Sequence, residues 1–196
     1  MTKVFIGGSR RVSRLNEQIR RRLDRIVEKR LPVLLGDANG ADKAVQQYLH
    51  GRAYENVEVF CSGNSCRNNV GRWTLREVPV DARSRNFDFY AAKDRIMARE
   101  ATVGFMVWDG KSIGTLLNVL RLVNLRKSAV VYDVSAERSW EIKNHGQWED
   151  FISHCEAEIR NEVERRAALE EPAQDDFSKA NRQMPLPLPT GQRFKV

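Results

Sequence analysis

Residues 102–120 decide the fold class, and they read Thr-Val-Gly-Phe-Met-Val-Trp, then Asp-Gly-Lys-Ser-Ile-Gly-Thr, then Leu-Leu-Asn-Val-Leu. The first part is a nearly continuous apolar run, which is typical of a strand buried on both faces. The middle is a polar loop with two glycines. The last part begins a helix whose apolar residues have helical spacing: Leu116, Leu117, Leu120 and Val123. The stretch therefore predicts a strand, a glycine-bearing loop and a helix.

The loop of this unit has the features of an anion site. Backbone N–H groups in such a loop and the N-terminus of the following helix can point at a phosphate. Lys111 adds a positive charge, and Ser112 and Thr115 add hydroxyl groups. An ordinary turn with N-terminal capping residues explains the same sequence equally well. The rest of the chain has to decide between these two interpretations.

The first sixty residues alternate between strand and helix patterns. Apolar runs at 3–7, 33–36 and 57–61 predict three strands, which are separated by a helix capped near Ser13 and a second helix near Ala44. This alternation with short turns indicates an α/β fold with a mainly parallel sheet and helices on its faces. We expect residues 4–7, 33–36 and 103–108 to be interior strands, because their apolar runs are continuous.

The second half continues this pattern and then changes character. It predicts a helix at 87–101, a strand at 129–133 and a long charged helix at 148–168, whereas residues 62–86 are expected to be irregular. Asp94 lies among the apolar positions of the 87–101 helix, where it either is solvated at the edge of that face or contacts a ligand.

The chain is expected to divide into one domain and a tail. The domain spans residues 1–168, and its C-terminal helix is followed by an extended tail at 169–196, which is flexible or docks on a partner. Residues 184–189 read Met-Pro-Leu-Pro-Leu-Pro and favour polyproline II.

The composition predicts a cytoplasmic protein. No apolar run approaches a membrane span and the first eight residues carry no cleavage signal, so neither a membrane nor export is expected. The three cysteines (Cys61, Cys66 and Cys155) are odd in number, which favours free thiols over a disulfide framework. The spacing of Cys61 and Cys66 fits no standard zinc pattern, so no metal site is expected.

The net charge of +7 is unevenly distributed. Residues 1–31 contain ten Lys and Arg against three Asp and Glu, whereas residues 146–171 contain three against eight. The favoured interpretation is that these faces are solvated or neutralise each other, across a surface or a dimer contact. The alternative is a nucleic-acid surface. Its residues would be seven arginines, with two tryptophans as stacking faces: Arg10, Arg11, Arg14, Arg20, Arg21, Arg22, Arg25, Trp73 and Trp108.

Three motifs follow predicted strands in order: Gly-Gly-Ser-Arg at 7–10, Gly-Asp-Ala-Asn-Gly-Ala-Asp at 36–42, and Trp-Asp-Gly-Lys-Ser-Ile-Gly-Thr at 108–115. Together they resemble the SLOG superfamily, and in particular a branch of small bacterial proteins with Gly-Ser-Arg, Gly-x-x-Gly-Ala-Asp and Trp-Asp-Gly-Lys-Ser-x-Gly-Thr signatures. The resemblance covers residues 3–133. It implies a Rossmann-like three-layer fold with a nucleotide or nucleotide-derived ligand at the carboxyl ends of the strands.

Carried over position by position, the resemblance assigns ligand or phosphate binding to residues of all three loops. Because the loops follow strands of one parallel sheet, we expect them to meet in one pocket. The assigned residues are Gly8, Ser9 and Arg10 in the first loop, Gly36, Asp37, Asn39, Gly40 and Asp42 in the second, and Asp109, Lys111, Ser112, Gly114, Thr115 and Asn118 in and after the third.

The better-known enzymes of this superfamily are phosphoribohydrolases with a Pro-Gly-Gly-x-Gly-Thr-x-x-Glu motif and an Arg-Lys-x-x-Met helix. The Gly114-Thr115 pair matches that motif, but Asn118 stands at the glutamate position, and Lys93 stands where the arginine would be. Asparagine cannot supply a carboxylate to a glycosidic-bond cleavage. A substitute acid would have to come from among Asp37, Asp42, Asp94 and Asp109. Nucleoside 2-deoxyribosyltransferases have a similar loop with a glutamate, and that glutamate is missing from this sequence as well.

Three functions remain, in this order. The first is a sensor or binding module for a nucleotide-like ligand, such as an NAD-derived or ADP-ribose-like molecule, with no certain cofactor. The second is a hydrolase or transferase that acts on N-glycosidic bonds with a non-standard carboxylate. The third is a nucleic-acid-binding protein similar to the DNA-processing branch of the superfamily. A homodimer is expected from its general frequency.

Overall fold

The computed structural model describes residues 2–80 and 87–170. Seven strands form one sheet in the order β4-β3-β2-β1-β5-β6-β7. The strands are β1 (Val4–Gly8), β2 (Val33–Gly36), β3 (Val57–Ser62), β4 (Thr74–Val78), β5 (Val103–Trp108), β6 (Ser128–Asp133) and β7 (Arg138–Ile142). The helices are α1 (Glu17–Glu28), α2 (Ala41–Gly51), α3 (Phe87–Glu100), α4 (Ile113–Asn124), α5 (His145–Ser153) and α6 (Ala157–Ala167).

The sheet is parallel except at one edge. β1 lies between β2 and β5 and pairs with both in parallel, and β7 pairs with β6 in antiparallel orientation. The expectation that β1, β2 and β5 are interior strands is therefore confirmed, as is the α/β fold with a mainly parallel sheet. Their side chains are buried on both faces, which explains the continuous apolar runs.

Each face of the sheet is covered by its own helices, which gives three layers. α1 and α2 pack on one face with Val4 and Ile6, whereas α3, α4, α5 and α6 pack on the other with Phe5. The helices of the two charged stretches, α1 from residues 1–31 and α5 and α6 from residues 146–171, consequently lie on opposite faces of the sheet.

Two helix boundaries differ from the sequence prediction. α1 begins at Glu17 rather than near Ser13, because the side chain of Asn16 accepts a hydrogen bond from the N–H of Ile19 and caps the helix there. The long helix at 148–168 is in fact two helices, α5 and α6. Between them Arg160 donates to the carbonyl oxygens of Ser153 and Cys155, so backbone acceptors at the break remain hydrogen-bonded.

Two strands lie where the sequence gave no strand signal. β4 lies within the segment predicted to be irregular, and β7 follows a turn in which Asp133 accepts from the N–H groups of Ser135 and Ala136. Both are edge strands, and most of their side chains are exposed or half-buried. An apolar pattern reports burial, so edge strands with polar side chains do not produce one.

The proposed tail at 169–196 lies almost wholly outside the described residues, and its boundary remains a prediction. Within the described ranges, no helix combines the length and apolar character needed to cross a membrane. The cysteines Cys61, Cys66 and Cys155 are free.

Candidate functional site

A cavity of about 530 Å³, the central cavity, opens at the carboxyl ends of β1, β2 and β5. Gly8 and Arg10 of the first motif, Ala38 and Asp42 of the second, and residues 109–114 of the third contribute to its lining. The volume falls within the usual range of small-molecule pockets, roughly 300–1,000 Å³. The three loops therefore meet at one edge of the sheet, as their positions after parallel strands require.

The residues predicted for ligand binding fall into two groups. One group lines the central cavity: Gly8, Arg10, Asp42, Asp109, Lys111, Ser112, Gly114 and Asn118, and with them Asp94. The other group does not line it: Ser9, Gly36, Asp37, Asn39, Gly40 and Thr115. The second group shapes the loops instead of facing the cavity.

Four residues, Ser9, Asp109, Ser112 and Thr115, form a hydroxyl corner that joins the first loop to the third. The Ser9 hydroxyl donates to Asp109 Oδ1 at 3.0 Å and lies 3.2 Å from the Thr115 hydroxyl, which in turn donates to Ser112 Oγ at 3.1 Å. Ser9 and Thr115 are buried. These two hydroxyls hold the two loops in register and do not line the cavity.

The carboxylate of Asp109 braces the third loop. Its Oδ1 accepts from the backbone N–H groups of Lys111 at 3.0 Å and Ser112 at 2.8 Å, and the Asp109 N–H donates to Ser9 Oγ at 3.1 Å. A carboxylate with these bonds fixes the turn that presents the Lys111 side chain. The polar groups of the hydroxyl corner therefore find their hydrogen-bond partners within the corner and the third loop.

The glycines of the motifs serve different purposes. A Cβ at Gly8 would lie 2.4 Å from the carbonyl oxygen of Val107, and one at Gly40 would lie 2.3 Å from that of Arg10. These two glycines allow protein backbones to approach each other. A Cβ at Gly114 would meet nothing within 4 Å, so this position is open toward the cavity.

A second set of five residues forms a charged wall: Asp37, Asp42, Arg67, Lys93 and Asp94. The Lys93 ammonium is buried and lies 2.7 Å from Asp94 Oδ1. Asp42 Oδ2 accepts from the Ala38 N–H at 3.2 Å. A Cβ at Gly36 would lie 2.3 Å from Asp42 Oδ2 and 2.7 Å from Lys93 Nζ, so the glycine makes room for both charged groups.

Burial and charge set the ionisation of this wall. Burial raises the pKa of Asp42 to about 6, and the nearby charge of Lys93 only partly offsets this effect. Burial also disfavours the ammonium of Lys93, but the carboxylates of Asp94 and Asp42 outweigh it and raise the Lys93 pKa above its ordinary value. Lys93 is therefore charged at neutral pH, while Asp42 takes up a proton in mildly acidic solution.

Arg67 was not among the predicted binding residues, although it lines the central cavity. It makes a bidentate pair with the buried Asp37, at 2.9 and 2.6 Å, and also donates its backbone N–H to that carboxylate. Burial opposes ionisation of Asp37, yet the hydrogen bonds from Arg67 and the charge of Lys93 hold its pKa below the ordinary value.

Tyr90 was also missed, and its ring lies close to Arg10 of the first loop and to Arg67 of the segment between β3 and β4. The guanidinium carbons of Arg10 and Arg67 lie 4.8 and 5.2 Å from the centre of its ring. The one available signal was the polar run Arg-Asn-Asn at 67–69 within a long segment that was predicted to be irregular. Nothing local in the sequence connects that run to Tyr90.

Asn118 lines the cavity and links two charged groups. Its amide donates to Asp94 Oδ2 at 3.3 Å and accepts from Arg121, which pairs with Glu170. Asn118 therefore contributes hydrogen bonds to the site, which connect Asp94 to Arg121. Within the described ranges, no group of histidine, cysteine or acidic residues is arranged to hold a metal ion.

The charged residues that line the central cavity are mostly basic. Among the described lining residues seven are Lys or Arg and three are Asp: Arg10, Arg11, Arg67, Lys93, Lys111, Arg121 and Arg166 against Asp42, Asp94 and Asp109. Among the described residues, Arg10, Arg11 and Lys111 have no carboxylate partner, whereas Arg67, Lys93 and Arg121 do. A cavity with surplus positive charge attracts an anionic ligand.

A solved structure has a similar fold: DNA processing protein A from Helicobacter pylori, described for its single-stranded DNA binding mode. It aligns with a TM-score of 0.53 and 12% sequence identity, over 87% of this chain and 82% of that chain. At this identity the similarity shows a shared Rossmann-like α/β fold. No family model and no curated protein matches the sequence.

Proposed function

We propose that this protein binds a nucleotide-like anionic ligand in the central cavity, as a sensor or binding module. The observation that carries the proposal is the surplus positive charge of a cavity of ligand size, in which Arg10, Arg11 and Lys111 have no carboxylate partner among the described residues. Phosphate groups are the anions that such a combination of guanidinium and ammonium groups recognises.

The start of α4 supports a phosphate position in this cavity. The first N–H groups of a helix have no partner within the helix and carry a partial positive charge. Ser112 precedes the helix without a capping hydrogen bond from its side chain, and Gly114 leaves the approach open. A phosphate at this point would contact the helix N-terminus and the ammonium of Lys111.

The resemblance to the SLOG superfamily supports the same conclusion from the sequence. Its three motifs are the three loops that meet at the cavity, and its ligands are nucleotides or their derivatives. Within this proposal, the inner residues Ser9, Asp37 and Thr115 hold the loops, and the lining residues contact the ligand. Gly36, Asn39 and Gly40 belong to the supporting group as well.

Binding can be tested by calorimetry with nucleoside mono- and diphosphates and ADP-ribose, on the wild type and Lys111→Ala. We expect the variant to bind about tenfold more weakly and with a weaker dependence on salt, because one charge that faces the phosphate is lost. Lys29→Ala is the matched control, since Lys29 is exposed just after the C-terminal end of α1, at the opposite edge of the sheet. Equal affinities of the wild type and Lys111→Ala would refute the proposed site.

A second candidate is single-stranded nucleic acid. It is supported by the fold shared with DNA processing protein A and by the basic first 31 residues, of which Arg10 and Arg11 line the cavity. A polynucleotide would lay successive phosphates along such a surface. This candidate keeps the same cavity but extends the contact beyond it.

Chain length distinguishes the two candidates. A nucleic-acid protein should bind a twenty-nucleotide single strand far more tightly than a mononucleotide, with a steep loss of affinity in salt. Arg14→Ala and Arg20→Ala change exposed residues outside the lining. They should weaken the binding of the twenty-nucleotide strand but not that of the mononucleotide. A module for small nucleotides should show no gain with length. Release of free base during the same measurements would instead indicate N-glycosidic cleavage.

A further inference from the structure

A second cavity of about 270 Å³, the side cavity, lies next to the central cavity. The two share Arg67 and Tyr90 as lining residues, so a ligand that passes these two side chains could occupy both. The side cavity is bounded by the end of β3 and by the start of α3. No sequence motif pointed to it.

Ser62 supplies an unused polar group in this cavity. It is the last residue of β3, only 6% exposed, and lines the side cavity. Its hydroxyl is buried and finds no hydrogen-bond partner within the described residues. Buried hydroxyl groups are nearly always hydrogen-bonded, because a lost bond to water must be replaced. A ligand group that reaches this hydroxyl from the cavity would supply the missing hydrogen-bond partner.

Aromatic rings form another wall of the side cavity. The Phe89 ring packs over Gly63, where a Cβ would lie 3.4 Å from the ring, and the rings of Phe89 and Tyr90 are 5.2 Å apart at their centres. Asn64 and Ser65 add polar side chains to the lining. A flat group with an apolar face and a polar rim fits these walls.

The charge of the side cavity differs from that of the central cavity. Among its described lining residues, Arg67 is the one cation, and it is paired with Asp37, which lines the same cavity. The side cavity thus has no surplus positive charge for a second phosphate. It suits a neutral group that forms hydrogen bonds.

From these features we infer that the side cavity receives the nucleobase of a ligand whose phosphate lies in the central cavity, with the Ser62 hydroxyl bonded to the edge of the base. The inference rests on the proposed function and makes it more specific. It assigns the ligand class as a nucleoside phosphate with an intact base. Arg67 and Tyr90 would flank the sugar between the two cavities.

The test compares four nucleoside monophosphates with ribose 5-phosphate, which lacks the base. Calorimetry is performed on the wild type, Ser62→Ala and the control Ser139→Ala, whose serine is exposed on β7. We expect at least one monophosphate to bind the wild type about tenfold or more tighter than ribose 5-phosphate. Ser62→Ala should lower the affinity for that monophosphate about fivefold and leave the affinity for ribose 5-phosphate unchanged. Ser139→Ala should match the wild type for both.

The thermal stability of the ligand-free protein gives an independent readout. Ser62→Ala removes a hydroxyl that has no described partner, so the variant should fold and melt at the same or a higher temperature than the wild type. The inference is overturned if ribose 5-phosphate binds as well as every monophosphate, or if Ser62→Ala weakens both kinds of ligand equally or neither. If no phosphorylated probe binds the wild type, the proposed function itself fails, which is a different result.

Discussion

The hydroxyl corner and the charged wall both contribute lining residues to the central cavity and are built from different interactions. The corner joins Ser9 to Thr115 and Asp109 through hydrogen bonds, and its polar groups are hydrogen-bonded to one another. The wall buries Lys93 among carboxylates, and its groups depend on their charges. The corner therefore determines where the loops lie, whereas the wall determines the electrostatic field that a ligand meets. The predictions below test this difference.

Loss of the buried cation should have the largest effect. Lys93→Met leaves the carboxylates of Asp42 and Asp94 without their buried positive partner, which should lower the free energy of unfolding by about 3–5 kcal/mol at pH 7. The raised pKa of Lys93 means that its contribution is fully present at pH 7 and is lost only above its ordinary pKa of 10.5, as the pH passes the folded-state value. Urea denaturation measures the loss.

The pH dependence of Lys93→Met provides its control. The deficit should shrink at pH 5, because Asp42, whose pKa is raised to about 6, can then take up a proton. Lys143→Met changes an exposed lysine that pairs with Glu141 and should cost little at either pH. A deficit in Lys93→Met that is independent of pH would indicate lost packing instead of lost charge.

Crowding the wall should have the next largest effect. The new Cβ of Gly36→Ala would lie 2.3 Å from Asp42 Oδ2, and overpacking of this kind costs about 1–3 kcal/mol. Gly114→Ala is the matched control, because its methyl group meets no atom within 4 Å. We expect Gly114→Ala to keep its stability in urea but to bind nucleotides more weakly, since the methyl group enters the central cavity. Equal stability of both variants would mean that the wall can move to accommodate a methyl group.

Titration of the wall should give a moderate effect. The pKa of Asp42 rises from 3.8 to about 6 on folding, so the folded state holds a proton between these values that the unfolded state has released. The contribution of Asp42 to stability should therefore fall by about 2 kcal/mol as the pH rises from 4 to 6, which appears as the difference between the wild type and Asp42→Asn over this range. Differential scanning calorimetry across this range measures it. Asp150→Asn, at an exposed position of α5, should behave as the wild type does.

Weakening the corner should have the smallest effect. Thr115→Val keeps the shape of the side chain but removes the hydroxyl that bonds Ser9 and Ser112, which should cost about 1 kcal/mol in urea denaturation. Nucleotide affinity should change little, because Thr115 does not line the cavity. Thr74→Val, on the exposed edge strand β4, is the control and should lose no stability. A large loss of affinity with intact stability would instead place Thr115 in contact with the ligand.

The sequence by itself determined the layered fold and the meeting of the three loops. Continuous apolar runs at β1, β2 and β5 reported burial on both faces, and parallel strands must release their loops at one edge. The edge strands β4 and β7 gave no such signal, because their side chains are largely exposed. The break between α5 and α6 was missed as well, and the hydrogen bonds from Arg160 that satisfy the carbonyl groups there are not visible in a sequence pattern.

Only the tertiary structure decided which residues of the motifs face the cavity and which support it. Ser9 and Thr115 are 106 positions apart in the chain, so their mutual hydrogen bond is invisible to any local pattern. The Arg67–Asp37 pair and the unused hydroxyl of Ser62 are likewise consequences of packing. The physical reason is that apolar periodicity reports burial along one element, whereas hydrogen bonds and charges depend on distances between elements that only the packed fold defines.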